Sequence, residues 1–314
     1  MRIAVITGAS SGMGREFVLQ LAKKEPFDEI WVIARSRDKL EALAADCAIP
    51  VRVIPLDLSD NASYDVYRDQ LSAHQPEIGV LVNCAGYGKF GRAGEIPMEE
   101  QLGMIDLNCR ALTAFTLLSL PFMKRGSKIV QVDSLSAFQP VPYMTVYGAS
   151  KAYVLSYSRA MNVELQPRGI RVMAVSPGWV KTDFFDRAEK DRNAPVVSYM
   201  NVLYEPADVV RTAIRDLYHT KKDLSIHGFP VKAQVFGVKL LPHKLILKIW
   251  MNQQKLDQKQ PQDKQKIKFI FIIERVYQNE RIQDQNDGSR ADVPEVLEPH
   301  REDNDRRMCL DGRL

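Results

Sequence analysis

The sequence predicts an α/β protein built on one doubly wound parallel sheet. Three observations carry this. Short β-branched runs recur over roughly residues 1 to 230, helical patterns separate them, and several runs are apolar at nearly every position, as in strands buried on both faces. The runs are Ile3 to Ile6, Ile30 to Ala34, Val51 to Pro55, Val80 to Val82, Ile129 to Val132 and Val172 to Val175, with Asp223 to Ile226 as one further strand. In the first intervening segment Phe17, Val18, Leu21 and Ala22 line one helical face. Strands and helices alternating at this length make βαβ units.

Bulk properties set the outer limits. The chain has 314 residues, 45% of them hydrophobic, enough for a sizeable core. Its formal charge is +4, with basic and acidic residues interleaved, so nothing points to nucleic acid as a partner. Cys47, Cys84, Cys109 and Cys309 form no CxxC pair and have no histidine partner at zinc spacing, so they read as reduced thiols and no metal is expected. The start MRIAVITGAS is a strand entering a glycine turn, and no apolar run approaches the roughly 20 residues of a membrane span. The expectation is a cytoplasmic protein.

Beyond about residue 256 the composition turns polar. Leu256 to Lys268 is nearly all Gln, Lys and Asp, and residues 279–314 are similar. Such a stretch buries too little apolar surface to offset chain entropy, which predicts disorder. The apolar island Phe269 to Ile273 looks strand-like but has no evident partner. The division that follows is a nucleotide-binding domain over residues 1–235, an amphipathic helix over 236–255 and a polar extension over 256–314.

The first strand ends in Thr7-Gly8-Ala9-Ser10-Ser11-Gly12-Met13-Gly14, directly before the amphipathic helix. Gly8 permits the sharp turn, Gly12 clears a side chain from a pyrophosphate's approach, and Gly14 lets the helix pack close to the sheet. The helix N-terminus then offers free N–H groups and partial positive charge to phosphates. Where the second strand ends, an NAD site would place an acidic acceptor for the ribose hydroxyls; here stand Arg35, Ser36 and Arg37. A guanidinium cannot accept a hydrogen bond but pairs with a 2′-phosphate, so NADP(H) is favoured over NAD(H). The plain alternative is that these arginines are solvated loop charges.

Tyr147-Gly148-Ala149-Ser150-Lys151 opens a helical segment, putting Tyr147 and Lys151 on one face about 5–6 Å apart. The ammonium is expected to lower the phenol's pKa from about 10, as a general acid for carbonyl reduction needs. Ser134, just past the strand ending at Val132, has a hydroxyl suited to polarising the same carbonyl oxygen.

With these motifs in order, the chain resembles the short-chain dehydrogenase/reductase family over roughly residues 1 to 230. The matching residues are the TGxxxGxG loop, Asp57-Leu58, Asn83-Cys84-Ala85-Gly86, Asn108, Ser134, Tyr147, Lys151, and Pro177-Gly178 with Thr182. The resemblance implies a Rossmann-type fold and an NADP(H)-dependent oxidoreductase that interconverts a ketone or aldehyde and an alcohol. It implies that Asp57 and Leu58 contact the adenine side, and that Asn83, Ala85 and Gly86 support the cofactor at the strand end. Asn108 would kink its helix and hold a proton-relaying water, and Lys151 would also bind the nicotinamide ribose. The backbone from Ser176 through Pro177 and Gly178 to Val180, with the Thr182 hydroxyl, would hold the carboxamide. Hydride would pass to the carbonyl carbon while Tyr147 protonates the oxygen and Ser134 stabilises the developing oxyanion. Oligomerisation through the helices bearing Asn108 and Tyr147 is a further implication. Two departures stand out: NCAG in place of NNAG, and Asp133 where a serine is common.

Phe184, Phe185, Tyr143, Met144, Tyr199 and Met200 are expected to line an apolar pocket for a bulky ketone, steroid-like or aromatic. Arg187, Lys190 and Arg192 read more simply as a solvated charge run than as a clamp for an acidic group. In the helix expected over Gly237 to Lys255, Leu241, Leu245 and Ile249 share a face, with Trp250 nearby. Docking on its own domain is the favoured role; covering the pocket, a subunit interface or contact with an anionic membrane surface are the others. Two rivals remain for the function: a 3-ketoacyl reductase, and a catalytically silent NADP(H)-binding regulator.

Overall fold

The computed structural model describes residues 1–92, 94–189, 197, 200 and 202–256. In chain order these form β1 (Arg2–Thr7), α1 (Gly12–Lys24), β2 (Glu29–Ala34), α2 (Arg37–Ala45), β3 (Val51–Pro55), α3 (Ala62–His74) and β4 (Glu77–Asn83). Next come α4 (Met98–Ile105), α5 (Leu112–Ser119), β5 (Lys128–Val132), α6 (Thr145–Glu164), β6 (Arg171–Val175), β7 (Trp179–Val180), α7 (Phe184–Glu189) and β8 (Leu203–Tyr204). The described chain ends with α8 (Pro206–His219), β9 (Leu224–Ser225), α9 (Phe229–Leu240) and α10 (His243–Leu256). A π-helical stretch, Asp106–Ala111, joins α4 to α5.

Seven strands form one parallel sheet in the order β3-β2-β1-β4-β5-β6-β9, as the apolar runs predict. Alternate side chains of each strand enter opposite cores. Ala4 and Ile6 join Phe17, Val18 and Leu21 of α1 and Val210, Ile214 and Leu217 of α8 on one face. Ile3 and Val5 join Tyr67, Phe115 and Met161 on the other. Each large apolar side chain so buried contributes about 1.5–3 kcal/mol. β1 and β4 lie side by side although β2 and β3 fall between them in sequence. The chain therefore winds outward in both directions from this pair, and the crevice beyond their C-terminal ends is where such sheets bind ligands.

The two-residue strands β7 and β8 pair with each other, outside the main sheet and outside what periodicity reveals. The helix expected from Gly237 begins instead at His243. Pro242 has no N–H and forces the preceding residue out of the helical region, and Leu241 is accordingly extended (φ −91°, ψ 144°). Gly237 to Leu240 thus closes α9. The docked face of α10 also differs from the expected one, being Ile246 and Trp250, both buried, while Leu245 is exposed. The Trp250 indole donates to Pro142 O at 3.2 Å, so α10 rests on its own domain. Phe269 to Ile273 and the polar extension lie outside the described residues. No described helix is long and apolar enough to cross a membrane.

Candidate active site

Gly8, Arg35, Cys84, Asp133 and Ser176 each follow directly on the C-terminal end of a strand, β1, β2, β4, β5 and β6. The parallel sheet therefore gathers the predicted motifs at one edge.

Gly8 leaves β1 with φ 69°, and Gly12 opens α1 with φ 52°. A Cβ on Gly8 would lie 2.7 Å from Ala85 N, and one on Gly14 would lie 2.1 Å from Gly8 O. Both contacts are backbone and cannot give way, so the loop is shaped for glycine. Ser11, at the N-cap, makes no side-chain cap, which leaves the first-turn N–H groups of α1 to another acceptor. Ser10 is half-buried beside it, and the Met13 side chain packs against the core. Thr7 Oγ1 accepts from Cys84 N (3.1 Å) and Ala85 N (3.2 Å), pinning the turn after β4 to the end of β1. A dinucleotide's pyrophosphate fits such a cradle.

Other predicted contacts sort by burial. Arg35 is exposed at the crevice edge. Asp57 accepts from Ser59 N (3.0 Å) and Ser59 Oγ (2.5 Å). Against the upward pull of partial burial, those bonds and the charges of Arg35 and Arg187 hold its carboxyl below the usual range. Leu58 and Asn83 point into the protein instead. Leu58 is core, and Asn83 Nδ2 donates to Thr116 Oγ1 and Gln131 Oε1, both at 3.0 Å. Pro177 O accepts from Leu135 N at 3.0 Å, Gly178 packs against Val231, and Val180 is buried in β7. The Thr182 methyl lies 2.8 Å from where a Gly12 Cβ would stand, bringing this segment onto the glycine loop.

Asn108, Ser134, Tyr147 and Lys151 come together. The π-helical stretch turns Asn108 inward, where its Nδ2 donates to Tyr87 O (2.9 Å) and Ser150 Oγ (3.0 Å) and its Oδ1 accepts from Tyr87 N (3.0 Å). Ser150 Oγ in turn donates to Tyr147 O at 2.7 Å. Lys151 Nζ donates to Val132 O (2.9 Å) and stands 5.7 Å from the Tyr147 ring centroid. A Cβ on Gly86 would come within 2.9 Å of Asn108 Oδ1 and 3.3 Å of Lys151 Nζ, so only glycine leaves this junction open. Ser134 caps the turn after β5, its Oγ accepting from Ser136 N at 3.2 Å, and its hydroxyl lies close enough to the Tyr147 phenol to act on its proton.

The electrostatics depart from expectation. Burial pushes the Tyr147 phenol up to about 12; the Asp133 charge adds to this and the Ser134 hydrogen bond opposes it. Lys151 does not bring it down, because its Nζ is turned to Val132 O and Tyr147 is only 7% exposed. Tyr147 is thus a neutral phenol here, the form that donates a proton. Lys151 is itself lowered by burial, with Asp133, Cys84 and Cys109 pulling the other way. Asp133 points inward: 1% exposed, it accepts from Ser176 Oγ at 2.6 and 2.8 Å. Burial raises it to about 7 although Ser176 and Lys151 favour its ionised form. Ser176 escaped the sequence reading as a partner. The pairing of Val132 with Val175 makes Asp133 and Ser176 neighbours, so strand register was the signal.

Around Tyr147 lies one apolar cluster holding Tyr87, Phe90, Met144 and Trp250, with Tyr143, Phe184 and Phe185 packed on it. Phe184 lies 5.4 Å from the Tyr147 ring. Met200 is exposed rather than lining the cluster, and Lys190, Arg192 and Tyr199 lie outside the described residues. Arg187 is not the solvated charge expected. It is half-buried, with Cζ 3.7 Å from the centroid of the Tyr87 ring. No described group of three or more His, Cys, Asp or Glu is arranged to hold a metal.

A doubly wound sheet with a glycine cradle and a Ser–Tyr–Lys set at one strand edge, its Tyr and Lys buried, defines a class of dinucleotide-dependent oxidoreductases. The family model "short chain dehydrogenase" matches residues 2–193, and the chain belongs to this family. A probable short-chain type dehydrogenase/reductase of Helicobacter pylori is 36% identical over 197 residues, covering 60% of this chain and 70% of the relative. A very-long-chain 3-oxoacyl-CoA reductase of Rattus norvegicus is 35% identical over 191 residues, covering 57% of this chain and 59% of the relative. Among solved structures, a short-chain dehydrogenase from Sphingobium yanoikuyae in complex with NADPH superposes with a TM-score of 0.65 at 27% identity, covering 84% of this chain and 98% of that one.

Proposed function

We propose that this protein is an NADP(H)-dependent reductase of a bulky, apolar ketone or aldehyde, acting through Tyr147 as proton donor. The observation that carries it is the junction beside Gly86 where buried Asn108, Tyr147 and Lys151 meet, with half-buried Ser134 next to the Tyr147 phenol. Gly8, Gly12 and Gly14 with the α1 N-terminus would seat the pyrophosphate, and Arg35 the 2′-phosphate. Lys151, the Pro177–Gly178 backbone and Thr182 would hold the nicotinamide side. The cofactor supplies hydride at its nicotinamide C4 when bound. Tyr147 Oη gives its proton to the carbonyl oxygen, and Ser134 Oγ holds that oxygen as negative charge develops. The aromatic and methionine cluster supports a bulky apolar substrate.

A 3-oxoacyl thioester is the second reading, supported by the 35% identity to the Rattus norvegicus reductase, whose length the chain spans by 59%. Exposed Leu102, Ile105, Leu117 and Val163 on α4, α5 and α6 suit these helices to a homo-oligomeric contact. The deciding experiment follows NADPH oxidation over steroid, aromatic and 3-oxoacyl-CoA ketones, with wild type beside Tyr147→Phe. We expect turnover that the variant loses by 10²-fold or more. Tight NADPH binding with no turnover on any ketone, unchanged by the variant, would replace this reading with a silent regulator.

A further inference from the structure

The segment after Val180 crosses the edge where the cofactor motifs lie, and its contacts trace the path. Thr182 meets the glycine loop at Gly12. Asp183 faces Lys39 of α2, with Oδ2 to Nζ at 4.0 Å. Phe184 lies on Tyr147, Arg187 on the ring of Tyr87, and Ala188 O accepts from Phe90 N at 3.1 Å. Thr182 to Ala188 is therefore a strap joining the ribose end of the crevice, at α2, to the reacting end at Tyr147.

Arg187 is the unusual member. It is half-buried, and Tyr87 is its closest described compensation. A guanidinium carries five N–H donors in a rigid fork, and those of Arg187 meet no hydrogen-bond acceptor among the described residues. The charge of Arg35, at the end of β2 on the same edge of the crevice, opposes that of Arg187, while Tyr87, Glu100 and Asp57 favour it. Arg35 is exposed and Arg187 half-buried, and two guanidinium groups facing one edge of the crevice attract a dianion.

We propose that Arg187 is a cofactor-specificity residue that shares the 2′-phosphate of the adenosine ribose with Arg35, and that α7 transmits this contact to Tyr147 through Phe184. The inference rests on the NADP(H) reading above. Phe184 and Arg187 are one helical turn apart, so an anion that fixes the guanidinium also fixes the ring against the proton donor. Cofactor choice and the closing of the apolar cluster thereby become one event.

The test is nucleotide affinity of the full chain, by isothermal titration with NADPH and NADH, for wild type, Arg35→Ala, Arg187→Ala and Arg187→Lys. Hydrogen exchange over residues 182–189 is followed with each nucleotide. We expect Arg187→Ala to weaken NADPH on the order of tenfold while moving NADH less than twofold. Arg187→Lys should fall between, and it answers the question by itself if the alanine variant does not fold. NADPH should protect the strap more than NADH does. Equal losses for both nucleotides, no loss for either, or a change confined to the ketone's KM overturns the inference. If Arg35→Ala loses NADPH affinity and the Arg187 variants do not, only the strap's role fails. If wild type shows no preference for NADPH, the cofactor reading fails and this inference with it.

Discussion

Replacing Asp133 by Asn should stabilise the protein, and more at alkaline pH. The carboxyl is 1% exposed and its folded pKa rises from 3.8 to about 7, burial being the main cause. A carboxyl whose folded pKa is raised binds its proton more tightly folded than unfolded. Its favourable contribution is complete below pH 4 and is lost as pH climbs through 7. About three pKa units at 1.36 kcal/mol each make the ionised group cost about 4 kcal/mol above pH 7, and under about 2 kcal/mol at pH 5. Asn resembles the protonated form in shape and keeps an oxygen for Ser176 Oγ. For a domain of this size 4 kcal/mol corresponds to about 10 °C in melting temperature. Melts of wild type and Asp133→Asn at pH 5 and pH 8 check this. An Asn variant less stable than wild type at pH 8, or an equal difference at both pH values, refutes the assignment of a strained buried carboxylate.

Two other variants probe the site. Gly14→Ala drives a Cβ to 2.1 Å from Gly8 O, so the glycine loop must open; calorimetry should show dinucleotide affinity falling at least tenfold, and an unchanged Kd would contradict the cradle. Lys151→Met leaves the Val132 carbonyl without its donor, which should cost about 1–3 kcal/mol in a thermal melt. It should also cut turnover about 100-fold or more, and wild-type kcat in a folded Lys151→Met protein would remove Lys151 from the chemistry.

How far the sequence reached depended on whether a feature was local. Strands such as Ile30 to Ala34 are apolar throughout because a parallel sheet buries both faces, and that pattern is visible in one dimension. The glycine loop is legible as a local pattern, and the contact that dictates Gly14, with Gly8 O, is itself local, whereas Gly8 is fixed by Ala85 on the neighbouring strand's turn. β7 and β8 are two residues each, too short to show a period. The break at Pro242 was legible in principle, but a run of leucines on both sides reads as one helix. What stayed hidden was set by tertiary burial. The same Arg187 reads as one charge in a polar run, and only the fold lays it on Tyr87. Likewise Tyr147–Lys151 spacing predicts proximity correctly, yet where Nζ points and how dry the phenol becomes depend on β5 and α7.

The placement of α10 has an optical consequence. The chain contains three tryptophans, and two of them, Trp179 and Trp250, belong to the cluster around Tyr147 while Trp31 is sealed in the sheet. Emission from two of the three indoles therefore originates beside the proton donor. Any event that wets, quenches or reorients that cluster changes the protein's own ultraviolet signal without a label, and Trp31 supplies an internal reference that such events leave untouched.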